Sequence, residues 1–253
     1  MDMMKVPTIP WRTIQITVNA LTIVTGFCTF MPMAFTSHYF QSHCVLFAKV
    51  RISMMNSTSL VVDMTQTVWG QISDCRFPTY TPLVTSIHAF IWCWFFLLLR
   101  EQLKKDQHEL PLLMLSFLIH IVFFILMFIV ACFLSAGVNT WCGNLVMEVT
   151  LNTDFHMFQC EDSQGLLWLN LFLELHPIYT FLLTAKISCW LQAFTLLCQT
   201  LACGYKLYKW LVDIQEEHFY IDRCGQAESF VTDSEISSCG SYNPLEKVLD
   251  IDR

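Results

Sequence analysis

Residues Leu112–Ser135 read LLMLSFLIHIVFFILMFIVACFLS, an apolar run without one Asp, Glu, Lys or Arg. At ~1.5 Å of rise per helical residue, such a run is long enough to cross the ~30 Å hydrocarbon core of a bilayer. A helix satisfies its own internal N–H and C=O groups, which is what a spanning segment in lipid must do. Pro111 stands just ahead of the run and suits a first helical turn, where no backbone donor is needed. The stretch predicts a transmembrane helix over 112–135 and sets the solvent in which the rest of the chain is read.

Working outward, the charged stretch REQLKKDQHE (Arg100–Glu109) precedes that run, and Thr81–Leu99 before it is again apolar. Two antiparallel spans joined by a short polar turn follow. Near the N-terminus, Thr13–Met33 contains ITVNALTIVTGFCTF without a charge and predicts another span. Lys5 and Arg12 before it would also suit a signal peptide, but no small-x-small cleavage site follows. Toward the C-terminus Leu166–Leu183 and Ala185–Tyr205 are both apolar, separated only by Thr184. Glu174, His176 and Pro177 interrupt the first, which reads as a loop or surface-lying segment leading into a fourth span. Lys186 would then snorkel at the outer end of that span, avoiding the roughly 2.5–3.5 kcal/mol it costs at mid-bilayer on insertion scales.

Composition agrees. With 55% hydrophobic and 14% charged among 253 residues, and a mean hydropathy of +0.49, the chain has too little polar surface for a water-soluble domain. A net charge of −7 with no dense basic cluster excludes nucleic acid as a partner, because phosphate neutralisation needs grouped Lys and Arg.

Basic residues in the short flanks set the orientation. Lys5, Arg12, Arg100, Lys104, Lys105, Lys206 and Lys209 lie on one side, against Lys49, Arg51 and Arg76 on the other. The expected frame is a cytosolic N-terminus (1–12), a first span (13–33), a luminal or extracellular loop (34–80), a second span (81–99), a cytosolic turn (100–111), a third span (112–135), a second luminal loop (136–184), a fourth span (185–205) and a cytosolic tail (206–253). The fold class is an all-α membrane protein, a bundle of four transmembrane helices.

Four of the twelve cysteines fall in the two outer loops: Cys44 and Cys75 in the first, Cys142 and Cys160 in the second. An oxidising compartment would pair them. Of three connectivities the intraloop one, Cys44 with Cys75 and Cys142 with Cys160, is preferred, each bridge contributing about 3–4 kcal/mol on the chain-entropy model. Between Cys44 and Cys75, alternation over Val50–Met54 and Leu60–Thr67 predicts short strands and a small extracellular sheet. Asn56-Ser57-Thr58 is a glycosylation sequon on the side where transfer occurs. The remaining cysteines read as small hydrophobes without metal spacing, although Cys203, near the cytosolic boundary, is a candidate for palmitate.

Inside the spans, Gln15, Asn19, Thr22, Gly26 and Thr29 share one face of the first helix, and Ser188, Gln192, Thr195 and Gln199 one face of the fourth. Such stripes serve helix packing through interhelical hydrogen bonds of about 0.6 kcal/mol each; the rival reading is an oligomeric channel or transporter lined by them. His88 and His120 sit at comparable depth and would meet, either as a titrating pair or as uncharged rings bonded to a backbone carbonyl or to Ser116. No Ser/His/Asp set, paired carboxylates, HExxH or glycine-rich phosphate loop occurs at useful spacing, so neither an enzyme nor a cofactor is expected. After Trp210 the chain turns acidic, a short helix giving way to disorder. Tyr242-Asn243-Pro244-Leu245 has the form of an endocytic sorting signal.

Several blocks then resemble one family: Cys44-Val45-Leu46-Phe47, Val68-Trp69-Gly70 followed by Asp74-Cys75-Arg76-Phe77, and Ser135-Ala136-Gly137 with Trp141-Cys142. Their order and topology are similar to the transmembrane protein 179 family of four-helix membrane proteins. A Trp and Cys in the first loop of a four-helix frame is also similar to claudins and calcium-channel gamma subunits in architecture. The spacing departs from theirs, since Trp69 precedes Gly70 and Cys75 lies six residues on. Architecture does not fix function. The expected role is binding, as organiser, trafficking partner or auxiliary subunit, with membrane lipid and other proteins as partners. The expected site is an integral multi-pass membrane of the secretory pathway, cell surface or endolysosomal system.

Overall fold

The computed structural model describes residues 11–40, 42–54, 60–63, 65–98, 109–152, 160 and 178–228. Four helices dominate it: α1 (Trp11–Tyr39), α2 (Ile72–Leu98), α3 (Glu109–Asn152) and α4 (Ile178–Glu228). Among the described residues, α1, α3 and α4 are long and apolar enough to cross a membrane. α2 carries no Asp, Glu, Lys or Arg from Phe77 to Leu98 and packs extensively on α1.

The radial distribution of side chains identifies the solvent. Leu21, Val24, Phe27 and Phe35 of α1, Phe90, Ile91 and Trp94 of α2, Leu118, Val122 and Ile125 of α3, and Leu191 and Phe194 of α4 face outward, while Gln15, Asn19, Thr22, Gln192 and Gln199 are buried. A soluble domain would reverse this arrangement, and so large an outward apolar surface requires lipid. Hydroxyls inside the bundle are satisfied locally: Thr22, Thr29, Thr36, Thr85 and Ser86 each donate to the carbonyl four residues back. That habit lets Ser and Thr sit in a helix away from water.

α1 packs between α2 and α4, and α4 between α1 and α3; α2 and α3 meet on a narrower front. Extra turns at one end of the bundle carry the sheets. β1 (Cys44–Lys49) pairs antiparallel with β4 (Val68–Gly70), and β2 (Ile52–Met54) with β3 (Leu60–Val62). Cys44 stands opposite Gly70 and Lys49 opposite Val68, so β1 carries extra residues in a bulge. There Phe47 takes a left-handed φ of 61°, a strained conformation for an aromatic residue, with its ring against Phe133 at 5.1 Å. The strands expected within 50–54 and 60–67 form β2 and β3; β1 and β4 arise where no alternation marked them.

The helices overrun the spans read from hydropathy. α2 starts at Ile72 rather than near 81, because Asp74 in its first turn complements the helix dipole and Pro78 and Pro82 are accommodated inside the helix. α3 continues to Asn152, so residues 136–152, expected as loop, are helical. Val138, Trp141, Leu145 and Val149 recur at helical spacing and are buried, which sustains the helix after bulk hydropathy falls. Likewise 178–184, expected in the second loop, opens α4, and 206–228, expected as a tail that begins with a short helix, continues it. Residues 166–177 lie outside the described residues.

The link from β3 to β4 is fastened by Asp63, whose Oδ1 accepts from the Thr65 hydroxyl at 2.6 Å and from the Thr65 and Gln66 amides at 2.9 and 3.1 Å. The Thr65 hydroxyl, followed by its amide, holds the Asp63 carboxyl below the usual range. A carboxylate with a lowered folded pKa stabilises above its unfolded pKa, about 4, and loses that contribution as pH falls through the folded value. Amide exchange at Thr65 and Gln66 is therefore expected to quicken relative to the bundle only in acid below about pH 4, and Asp63→Asn should remove the dependence.

Candidate functional site

Two places concentrate polar or unusual chemistry: the sheet unit at one end of the bundle and the seam between α1 and α4. The sheet unit is fixed from three sides. A disulfide joins Cys44, the first residue of β1, to Cys75 in the opening turns of α2, with Cα atoms 5.5 Å apart. β1 runs along the extended part of α3. Leu46 is fully buried and, with the Phe47 ring, lies against Gly137, where a Cβ would come 3.1–3.2 Å from both side chains. Farther along α3, Asn144 Nδ2 donates to the Ala48 carbonyl at 3.3 Å, and Arg51 pairs with Glu148 at 3.2 Å. Opposite Cys44, a Cβ on Gly70 would collide with the Leu46 carbonyl oxygen. Trp69 packs on Phe40 at 5.4 Å and His43 at 5.2 Å. A second disulfide joins Cys142 of α3 to Cys160, Cα to Cα 5.8 Å. On this braced unit Val68 and Ile72 remain 64% and 55% exposed.

The α1–α4 seam is an antiparallel zipper. Gln15 Nε2 lies 3.6 Å from Cys203 Sγ, Thr22 and Thr195 share a hydroxyl bond of 3.2 Å, and Gly26 meets the Gln192 amide. One turn along α1 thus matches one turn back along α4, which brings Asn19 opposite Gln199. Gln192 also reaches α2, donating to the Pro82 carbonyl at 3.3 Å. The two stripes read from the sequence face each other inside one chain. Cys203, a palmitate candidate on the sequence, is buried in this seam beside Gln15, where an acyl chain would have to displace α1. Lys186, at the sheet end, donates to Asn139 Oδ1 at 3.1 Å.

On the narrower α2–α3 front, His88 and His120 come together with ring centroids 5.8 Å apart. Trp92 Nε1 donates to His88 Nε2 at 2.6 Å, so that nitrogen carries no proton. His120 Nδ1 lies 2.6 Å from the Ser116 carbonyl; a carbonyl only accepts, so Nδ1 is the donor. Both rings are oriented by hydrogen bonds within their own helices. Among the described residues no group of three or more His, Cys, Asp or Glu is arranged to hold a metal.

Asn56, Tyr242 and Leu245 lie outside the described residues. Sequence reading missed the Pro82 carbonyl and the Arg51–Glu148 pair, for which only three-dimensional contact supplies a signal. A protein-family model described as Transmembrane protein 179/179B Claudin domain matches residues 11–229. No solved structure matches the chain.

Proposed function

The chain belongs to the transmembrane protein 179/179B claudin-domain family, and from that premise we propose that it works by binding another protein rather than by catalysis, as an organiser, trafficking partner or auxiliary subunit. The sheet unit is the contact surface, on the luminal or extracellular side, with the charged end of α4 in the cytosol. One observation carries the reading. A disulfide, a docked strand and an ion pair hold a small sheet on the extended end of α3, and Val68 of β4 and Ile72 at the start of α2 stand exposed beside it. Pre-ordering a surface reduces the conformational cost of association, whereas a loop that served only to connect two helices would need none of these braces.

The channel reading fits less well. Its lining would be Asn19, Gln192 and Gln199, each 2% exposed or less within one chain, so a path there requires the α1–α4 seam to part. A photo-activatable side chain at Val68 tests the two. Illumination of intact cells should give a discrete protein adduct that disappears in the Cys75→Ser background. If Val68 gives no adduct, and purified protein in vesicles passes ions in a manner abolished by Gln192→Leu, the channel reading replaces this one.

A further inference from the structure

The seam between α1 and α4 holds more hydrogen-bonding capacity than its own residues use. Asn19 Nδ2 donates to the Gln15 carbonyl at 2.8 Å, and Gln15 Nε2 is spent on the Cys203 thiol. Gln15 Oε1, Asn19 Oδ1 and both amide atoms of Gln199 have no partner, although all three residues are 2% exposed or less. Turning over Asn19 or Gln199 does not help, and turning over Gln15 only exchanges its bare oxygen for a bare NH2 group as the Cys203 thiol becomes the donor. A reversed Asn19 would aim its oxygen at the Gln15 carbonyl, and Gln199 is unpartnered at both ends, so neither assignment satisfies it.

These atoms belong to one level of the bundle. Gln199 stands one turn from Cys203, which faces Gln15, and one turn from Thr195, which faces Thr22. Asn19 sits between Gln15 and Thr22 on the opposing helix. The inventory is three bare oxygens against one NH2 group, an excess of acceptors. Leaving such groups dry in a low-dielectric interior is costly, and native proteins almost always provide a partner. A metal cation would suit three oxygens, but α1 carries no acidic residue and α4 none from Ile178 to Val212 to offset its charge, and an uncompensated ion in hydrocarbon is far more expensive than a neutral ligand.

We propose that the Gln15–Asn19–Gln199 level of the α1–α4 seam is a binding site for internal water, a pair of molecules that bridge the two helices. Two waters bring four hydrogens. Three go to Gln15 Oε1, Asn19 Oδ1 and Gln199 Oε1, the fourth joins the waters to each other, and their lone pairs receive the Gln199 N–H groups. Each water then has the two to four polar partners that buried water ordinarily has. Asn19 and Gln199 act as a pair joined through solvent, and the seam is closed by hydrogen bonds at a level where side chains alone leave a gap in pairing.

The experiment uses full-length protein in lipid nanodiscs. With glutamine side chains nitrogen-labelled and assigned through the backbone, magnetisation transfer from water should reach the Gln199 amide protons. Thermal unfolding supplies the second reading. Gln199→Met keeps length and removes both polar atoms; loss of a water-bridged pair lowers Tm by about 2–4 °C, and Asn19→Leu added to it costs less than Asn19→Leu alone. No water transfer to Gln199, or a Tm that rises in Gln199→Met as a dry orphan is removed, overturns the proposal. The transfer measurement needs no variant, so it decides even if Gln199→Met fails to fold.

Discussion

Cys44→Ser or Cys75→Ser is expected to destabilise the sheet unit by about 3–4 kcal/mol, the chain-entropy value for closing a loop of this order. The bridge spans 31 residues and ties the first residue of β1 to the opening turns of α2. Without it the whole segment between α1 and α2 regains freedom in the unfolded ensemble. The Leu46 insertion against α3 must then carry more of the sheet's anchoring, helped by Asn144, by Trp69 on Phe40 and by an Arg51–Glu148 pair whose Arg51 end is exposed. An exposed ion pair contributes at most about 1 kcal/mol. The result should appear as protease cleavage between residues 44 and 75 in membranes from cells expressing the variants, while the helices remain inserted. Cys28→Ser and Cys132→Ser, at exposed unpaired cysteines, should leave the fragment pattern unchanged. Equal sensitivity in all four variants would mean that the bridge does not brace the sheet.

Much of this architecture was legible because lipid imposes a coarse rule. A spanning helix must be apolar for about twenty residues, and Leu112–Ser135 satisfies that rule without help from tertiary contact. The ends of the helices were not legible in the same way. Hydropathy reports where a helix meets hydrocarbon, and α3 continues past that point on a different basis, the buried row Val138, Trp141, Leu145 and Val149. That periodicity was present in the sequence but is weaker than the run before it. β1 was hidden for the opposite reason. Its residues Cys44, Val45, Leu46 and Ala48 are all buried, so the strand shows no alternation, and a continuous apolar run of that length does not declare its secondary structure.

The polar stripes show the same division between what spacing tells and what contact adds. Steps of three and four placed Gln15, Asn19 and Thr22 on one face of α1, and Gln192, Thr195 and Gln199 on one face of α4. Spacing cannot say whether two such faces look at each other or at a neighbouring molecule. In the structure they look at each other, because the glycine within the α1 stripe permits close approach. Small residues at helix crossings have this effect in membranes, where apolar surface gains nothing from leaving lipid and association rests on packing and hydrogen bonds.

Gly26 is where that argument can be tested most severely. A Cβ built there collides with Ser86 Oγ of α2 and comes 2.8 Å from Gln192 Nε2 of α4 and 2.9 Å from the Pro82 carbonyl of α2. Three helices therefore converge on a hydrogen atom, and two of the obstacles are the donor and acceptor of the hydrogen bond that joins α4 to α2. Gly26→Ala is expected to cost about 1–3 kcal/mol through overpacking, and Gly26→Leu to prevent assembly of α1 with its neighbours altogether. Gly143, by contrast, has nothing within 4 Å of its added Cβ, so Gly143→Ala should gain roughly 0.5–1 kcal/mol of helix propensity. The discriminating measurement is a double substitution read by thermal unfolding in detergent micelles. Ser86→Ala removes the nearest obstacle, and the hydroxyl it deletes bonds only to its own helix, so Gly26→Ala/Ser86→Ala should recover part of the loss. If the pair is as unstable as Gly26→Ala alone, close packing at the α1, α2 and α4 junction is not what the glycine provides.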